Sequence, residues 1–320
     1  MKKYLYGASL LMGALTLGEY AQAEMKVTGH IEQTFKSVKN GNSALGNETN
    51  VTFTGKKSLD NGIDLKGKIN LEDNEVDKSS LKFIKDNFSV EFGADTGQHI
   101  HSNLNPAVDD NSWQIGPSGM LADDAFTDYQ AHDAQHVGFG YKTPMGSFAL
   151  NYAPSSAGQS TGDSKTTDNG GSATEISFKG DLGTDNAKFL IGQETVESDT
   201  SSDGTETERT VGIQYVITNN LTIGGSWRDF DDENISSTAV DQSISYGAAY
   251  AINRNWSAGI EFVDTESEKA GSVEENAVTA TVGYNLGGVG VAFGFTSVDN
   301  LGGTSGDTGE AFQIRTIAKF

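Results

Sequence analysis

The chain has 320 residues, with 22 Lys+Arg against 44 Asp+Glu and a formal net charge of −22. That acidity excludes a nucleic-acid binder, whose phosphates it would repel, and with no cysteine in the chain no disulfide contributes to stability. Glycine is abundant (39) and proline scarce (4), and no later run is apolar and long enough for a transmembrane helix, which leaves a barrel crossing on alternating strands untouched.

At the N-terminus, Lys2 and Lys3 precede an apolar stretch from Leu5 to about Leu17, followed by the small-x-small sequence Ala21-Gln22-Ala23. This pattern predicts a secretory signal peptide over residues 1–23, with cleavage before Glu24. Its loss would remove Lys2, Lys3 and Glu19 and take the formal charge from −22 to −23.

From Glu24 on, period two dominates. In "MKVTGHIEQTFK" Met25, Val27, Ile31 and Phe35 are apolar, while Lys26, Thr28, His30, Glu32, Thr34 and Lys36 are polar. "GIDLKGKINLE" repeats the rule, with Ile63, Leu65, Ile69 and Leu71 set against Asp64, Lys66, Lys68 and Asn70. Such strands have one apolar face and one polar or small face. The same reading carried along the chain predicts strands at 25–37, 48–58, 62–72, 78–85, 87–94, 135–142, 147–153, 173–182, 186–196, 208–217, 220–230, 241–252, 255–264, 275–285, 289–298 and 311–320. An even count of sixteen puts both ends of a meander on one side.

The connections sort by parity. Short turns fall at 60–61, 86–87, 143–146, 183–185, 218–220, 253–255 and 286–288, and longer polar segments such as "ESDTSSDGTETE" lie between them. A soluble sandwich alternates in polarity as well but gives no reason for such sorting; a transmembrane barrel does. All four prolines lie in connections or at strand ends, as ladder hydrogen bonding requires. Aromatic residues flank the short turns (Tyr141 and Phe148, Tyr250 and Trp256, Tyr284), which reads as an interfacial girdle.

One connection breaks the scale, running from about 95 to 134 after the fifth strand. Structureless segments of that length are usually functional. Signal peptide, sixteen strands, enlarged third loop and terminal Phe320 together resemble the trimeric general-diffusion porins of Gram-negative outer membranes. The resemblance implies an all-β fold over residues 24–320, a 16-stranded antiparallel transmembrane β-barrel with the long third loop folded into the lumen. It implies an outer-membrane location and passive diffusion of ions and small hydrophilic solutes through a water-filled channel. Its partners would be two further copies of the chain in a homotrimer, outer-membrane lipid and lipopolysaccharide, and the barrel-assembly machinery, which reads a terminal aromatic such as Phe320.

Carried over residue by residue, the loop offers Asp109, Asp110, Asp123, Asp124 and Asp128 for an acidic side of the constriction. The polar strand faces offer Lys26, Lys36, Lys56, Lys66, Lys68 and Lys82 for a basic wall. Charge rings of this kind tune ion selectivity, and the net acidity points to a mild cation preference. With four arginines in the chain, the basic wall has to be mostly lysine, and the "PEFGG"-like sequence common in the family's third loop is missing.

Four of the five histidines, His99, His101, His132 and His136, flank the roots of that loop and, with Asp133, form a candidate transition-metal set beside the simpler reading of polar wall residues. Carboxylates at 197–208 and 264–276 are a candidate Ca²⁺ set without EF-hand or nonapeptide spacing. No enzyme is expected: no G-x-S-x-G, H-E-x-x-H, P-loop or dinucleotide fingerprint stands in a suitable context. The alternatives left open are a soluble secreted β-rich binding protein or adhesin, and a catalytic outer-membrane barrel.

Overall fold

The computed structural model describes residues 24–72, 75–94, 98, 100, 135–155, 171–183, 186–197, 204–232, 240–268 and 270–320; the expected signal peptide lies outside them. Sixteen strands follow in chain order: β1 Glu24–Val38, β2 Ser43–Ser58, β3 Asp64–Glu72, β4 Glu75–Lys85, β5 Phe88–Ala94, β6 His136–Thr143, β7 Gly146–Ala153, β8 Ser172–Asp181, β9 Ala187–Glu197, β10 Thr205–Thr218, β11 Leu221–Asp232, β12 Val240–Ala251, β13 Trp256–Ser267, β14 Glu275–Asn285, β15 Val289–Asp299 and β16 Thr308–Lys319. Each pairs antiparallel with its sequence neighbours, and β1 pairs with β16, so the sheet closes without an edge. Closure matters in lipid, where an unpaired backbone group has no water to turn to.

The seam runs from His30↔Lys319 to Val38↔Ala311. Beyond the last strand residue, Phe320 N–H donates to Gly29 O and Gly29 N–H to Phe320 O, both at 3.0 Å. A Cβ on Gly29 would lie 2.8 Å from Phe320 Cζ, so the bare glycine is what lets the ring settle over the seam.

The two faces invert the order of a soluble protein. Outward-facing Ile176, Ile191 and Ile213 are more than half exposed, whereas inward-facing Glu175, Glu194 and Thr296 are almost fully covered. Side chains on the concave side of a closed sheet crowd one another, and those on the convex side splay apart. The chain therefore offers apolar side chains to an apolar solvent and turns its carboxylates inward, the pattern of a transmembrane barrel with a polar lumen.

At the short-turn end, Tyr141 sits directly across from Phe148, Trp256 and Tyr284 rings lie 4.5 Å apart, and Phe178 packs 4.3 Å from Phe148 and 5.3 Å from Phe189. Tyr141, Phe148, Trp256 and Tyr284 are aromatics expected beside the turns, and Phe178 and Phe189 join them in cross-strand contact.

Two expectations need correction. The strand expected to start at 48 starts at Ser43, because β2 goes on pairing with β1 as far as Ser37↔Ser43 after apolar alternation has stopped. Connection length also fails to sort by parity in the first two hairpins: residues 39–42 and 73–74 are as short as the turns opposite them. There the long strands β1 and β2 carry the wall outward, and longer connections begin only at 95–135.

Candidate functional site: the inner wall

The inward face is set by register. Reading neighbour to neighbour, Glu24, Lys56, Lys66, Lys82 and Glu91 stand side by side on β1 to β5. The next inward row carries Lys26, Thr54, Lys68 and Ser80 on β1 to β4. Strands lie roughly 4.8 Å apart, so Lys56, Lys66 and Lys82 form a contiguous basic ladder. Lys82 Nζ is 2.9 Å from Glu91 Oε2. Among the described residues, no carboxylate lies within ion-pair distance of Lys56 or Lys66. Lys36 is also inward-facing, opposite Gln313 across the seam and nearer the far end of β1. All six lysines named from the sequence thus face the lumen, and Lys56, Lys66, Lys68 and Lys82 are brought together on β2 to β4.

Followed past Glu91, the first row turns acidic. Gly138 and Asn151 come next, then Glu175, Glu194 and Glu208 on β8, β9 and β10 in direct register. Asn151 Nδ2 donates to Glu175 Oε1 (3.2 Å), Thr210 Oγ1 donates to Glu208 Oε1 (3.1 Å), and Arg228 Nε lies 3.8 Å from Glu208 Oε1. A basic sector and an acidic sector therefore occupy different parts of one wall. The strand "TEISFKG" is readable as alternating, yet its glutamate gains meaning only beside those of β9 and β10, which no single strand shows.

Gln98 and Ile100, the described residues of the long third connection before 135, lie on the inner side of the wall. Gln98 Nε2 donates to Ser147 O and to Ser177 Oγ, both at 3.1 Å, and Ser147 Oγ donates to Gln98 Oε1. Asn151 Nδ2 donates to Gln98 O at 2.9 Å. Ser147, Asn151 and Ser177 are inward-facing, so Gln98 is held on the inner side of β7 and β8. Ile100, fully buried, lies against β9 where a Cβ on Gly192 would sit 2.2 Å from its Cγ2. The glycine is a notch that receives it.

Asp109, Asp110, Asp123, Asp124 and Asp128, together with His99, His101, His132 and Asp133, lie outside the described residues. His136 is described: it faces inward opposite Gly93 and is buried. Of the Ca²⁺ candidates, 198–203 and 269 lie outside the described residues. On β1 and β2, three side chains that sequence reading did not single out as a group converge: His30, Glu32 and Glu48.

A family model described as Gram-negative porin matches residues 7–303. No curated protein sequence matches. Several solved structures are similar in fold. A loop-deletion mutant of OmpT, an outer membrane protein of Vibrio cholerae, superposes with a TM-score of 0.68 at 16% identity, covering 93% of this chain and 99% of that one. The trimer form of in-vitro folded OmpT from the same organism gives 0.66 at 14% identity, covering 93% and 99%. A mutant of the Rhodopseudomonas blastica porin gives 0.65 at 12% identity, covering 93% and 100%.

Proposed function

This chain belongs to the Gram-negative porin family and is an outer-membrane porin, and from that premise we propose how its lumen treats solutes. Ions and small hydrophilic molecules pass by diffusion down their gradients, without a chemical step, and cations pass somewhat more readily than anions. The observation that carries the diffusive passage of polar solutes is the split wall, while the cation preference rests on the chain's net charge of −22. Lys56, Lys66 and Lys82 stand on β2 to β4, and Glu175, Glu194 and Glu208 stand on β8 to β10. Opposed sectors create a transverse field in the lumen, which orders water and orients dipolar solutes, so that polar solutes pass at lower cost than apolar ones of equal size.

The third connection narrows this passage in the proposal, starting from the anchorage of Gln98 and Ile100, and Asp109, Asp110, Asp123, Asp124 and Asp128 add their charge to it. The working unit is a homotrimer, a reading supported by the trimer form of the Vibrio cholerae neighbour. Lipopolysaccharide surrounds it, and the barrel-assembly machinery inserts it.

Swelling of liposomes carrying the purified protein tests passive diffusion: swelling rates should fall smoothly with the size of neutral sugars. A saturable preference for one sugar would contradict a general-diffusion channel. For the loop, replacing Asp123 and Asp124 by Asn should lower cation-over-anion permeability; an unchanged reversal potential would remove them from the constriction.

A further inference from the structure

Beside the seam, β1 and β2 bring together an imidazole and two carboxylates that the channel reading does not require. One ligand atom from each of His30, Glu32 and Glu48 lies within 4.8 Å of the other two. Glu32 and Glu48 are direct cross-strand partners. Like charges placed that way repel, and a positive group between or beside them relieves the cost. Glu32 has its own cation, with Arg315 Nη2 2.5 Å from Oε2 across the seam, and Thr34 Oγ1 donates to its other oxygen at 3.0 Å. Among the described residues, Glu48 has only the imidazole, His30 Nε2 to Oε1 at 2.8 Å.

We propose that His30, Glu32 and Glu48 bind a first-row divalent transition cation on the inner wall, with Zn²⁺ as its representative. One imidazole nitrogen with carboxylate oxygens suits Zn²⁺ and its neighbours in the series, whereas Mg²⁺ and Ca²⁺ call for oxygen ligands throughout. Bonds of about 2.0–2.2 Å place tetrahedral ligands roughly 3.4 Å apart, so a group spread over 2.8–4.8 Å needs only side-chain rotations to close. The rotations fall on the freer members: the side chains of His30 and Glu48 are 22% and 20% exposed, and that of Glu32 is 4%. Arg315 holds the buried carboxylate in place, as outer-shell partners of metal ligands commonly do. The exposed pair gives an entry path from the lumen, and three protein ligands leave a fourth position for water. The ion would link β1 to β2 and, through Glu32 and Arg315, brace the β1–β16 closure.

The test is isothermal titration of the folded, detergent-purified full chain with ZnCl₂ and, separately, MgCl₂, after chelator treatment. Wild type should take up one Zn²⁺ per chain and no Mg²⁺ at matched concentration. His30→Ala and Glu48→Gln should each weaken Zn²⁺ binding at least tenfold while keeping the heat-modifiable gel mobility of a folded barrel. Zn²⁺ should also raise the unfolding temperature of wild type and leave that of the variants unmoved. His30→Gln serves in place of His30→Ala if the latter fails to fold. Zn²⁺ affinity equal in wild type and both folded variants would assign binding to other histidines and overturn the proposal, as would no Zn²⁺ uptake by the folded wild type.

Discussion

Replacing Lys56 and Lys66 together by Gln should raise the cation-over-anion permeability ratio, and by an amount that depends on salt. Both ammonium groups face the lumen in adjacent register, with no carboxylate among the described residues within ion-pair distance. For an ion passing about 8 Å from one such charge in water, the bare interaction is about 0.5 kcal/mol, reduced to about 0.2 kcal/mol by screening at 0.15 M. Two charges act with opposite sign on cation and anion, so the ratio moves by about 0.8 kcal/mol, or roughly three- to fourfold. At 1 M salt the screening length drops to about 3 Å and the same sum gives only about 1.3-fold. Reversal potentials across a planar bilayer, measured with KCl gradients centred near each concentration, read both values directly. Gln keeps side-chain length and polarity, and gel mobility confirms folding. An unchanged ratio at low salt would place these lysines away from the ion path. Equal shifts at low and high salt would mean that pore shape, not charge, had changed.

Glu194→Gln should move the ratio the other way in the same assay, by less than the roughly twofold that one open lumen charge gives on the same estimate, because its carboxylate is almost fully covered. Gly192→Ala puts a methyl 2.2 Å from Ile100 Cγ2 and should destabilise the barrel by about 1–3 kcal/mol in urea titration. Adding Ile100→Ala should recover a measurable part of that loss, since the two sites share one contact. Ile213→Arg, on the outward face between Val211 and Tyr215, should cost about 2–4 kcal/mol of folding free energy in lipid. Gln214→Arg, one residue on and inward-facing, should fold nearly as wild type and shift the reversal potential instead.

The strands were legible because a sheet with lipid on one side and water on the other imposes strict alternation, and sixteen such segments appear in the chain. The segment 275–285 coincides with β14. Agreement weakens where β2, β10, β13 and β16 run past the expected segments. Backbone pairing continues there after the requirement for apolar side chains has ended. Parity alone also placed Lys26, Lys36, Lys56, Lys66, Lys68 and Lys82 on the inner face. What one strand cannot show is height. Glu175, Glu194 and Glu208 form a sector only through the register of three strands, and Arg315 reaches Glu32 only because the first and last strands meet. The notch at Gly192 was likewise invisible, since its occupant, Ile100, belongs to a connection far off in sequence.

An inside-out barrel of this kind encloses an aqueous path. Single-channel recording of the purified, folded protein in a planar bilayer under asymmetric KCl tests it most directly. Discrete, long-lived current steps are expected, with a reversal potential displaced modestly toward that of K⁺. Protein that inserts as a folded barrel yet passes no current above the bare bilayer would contradict it.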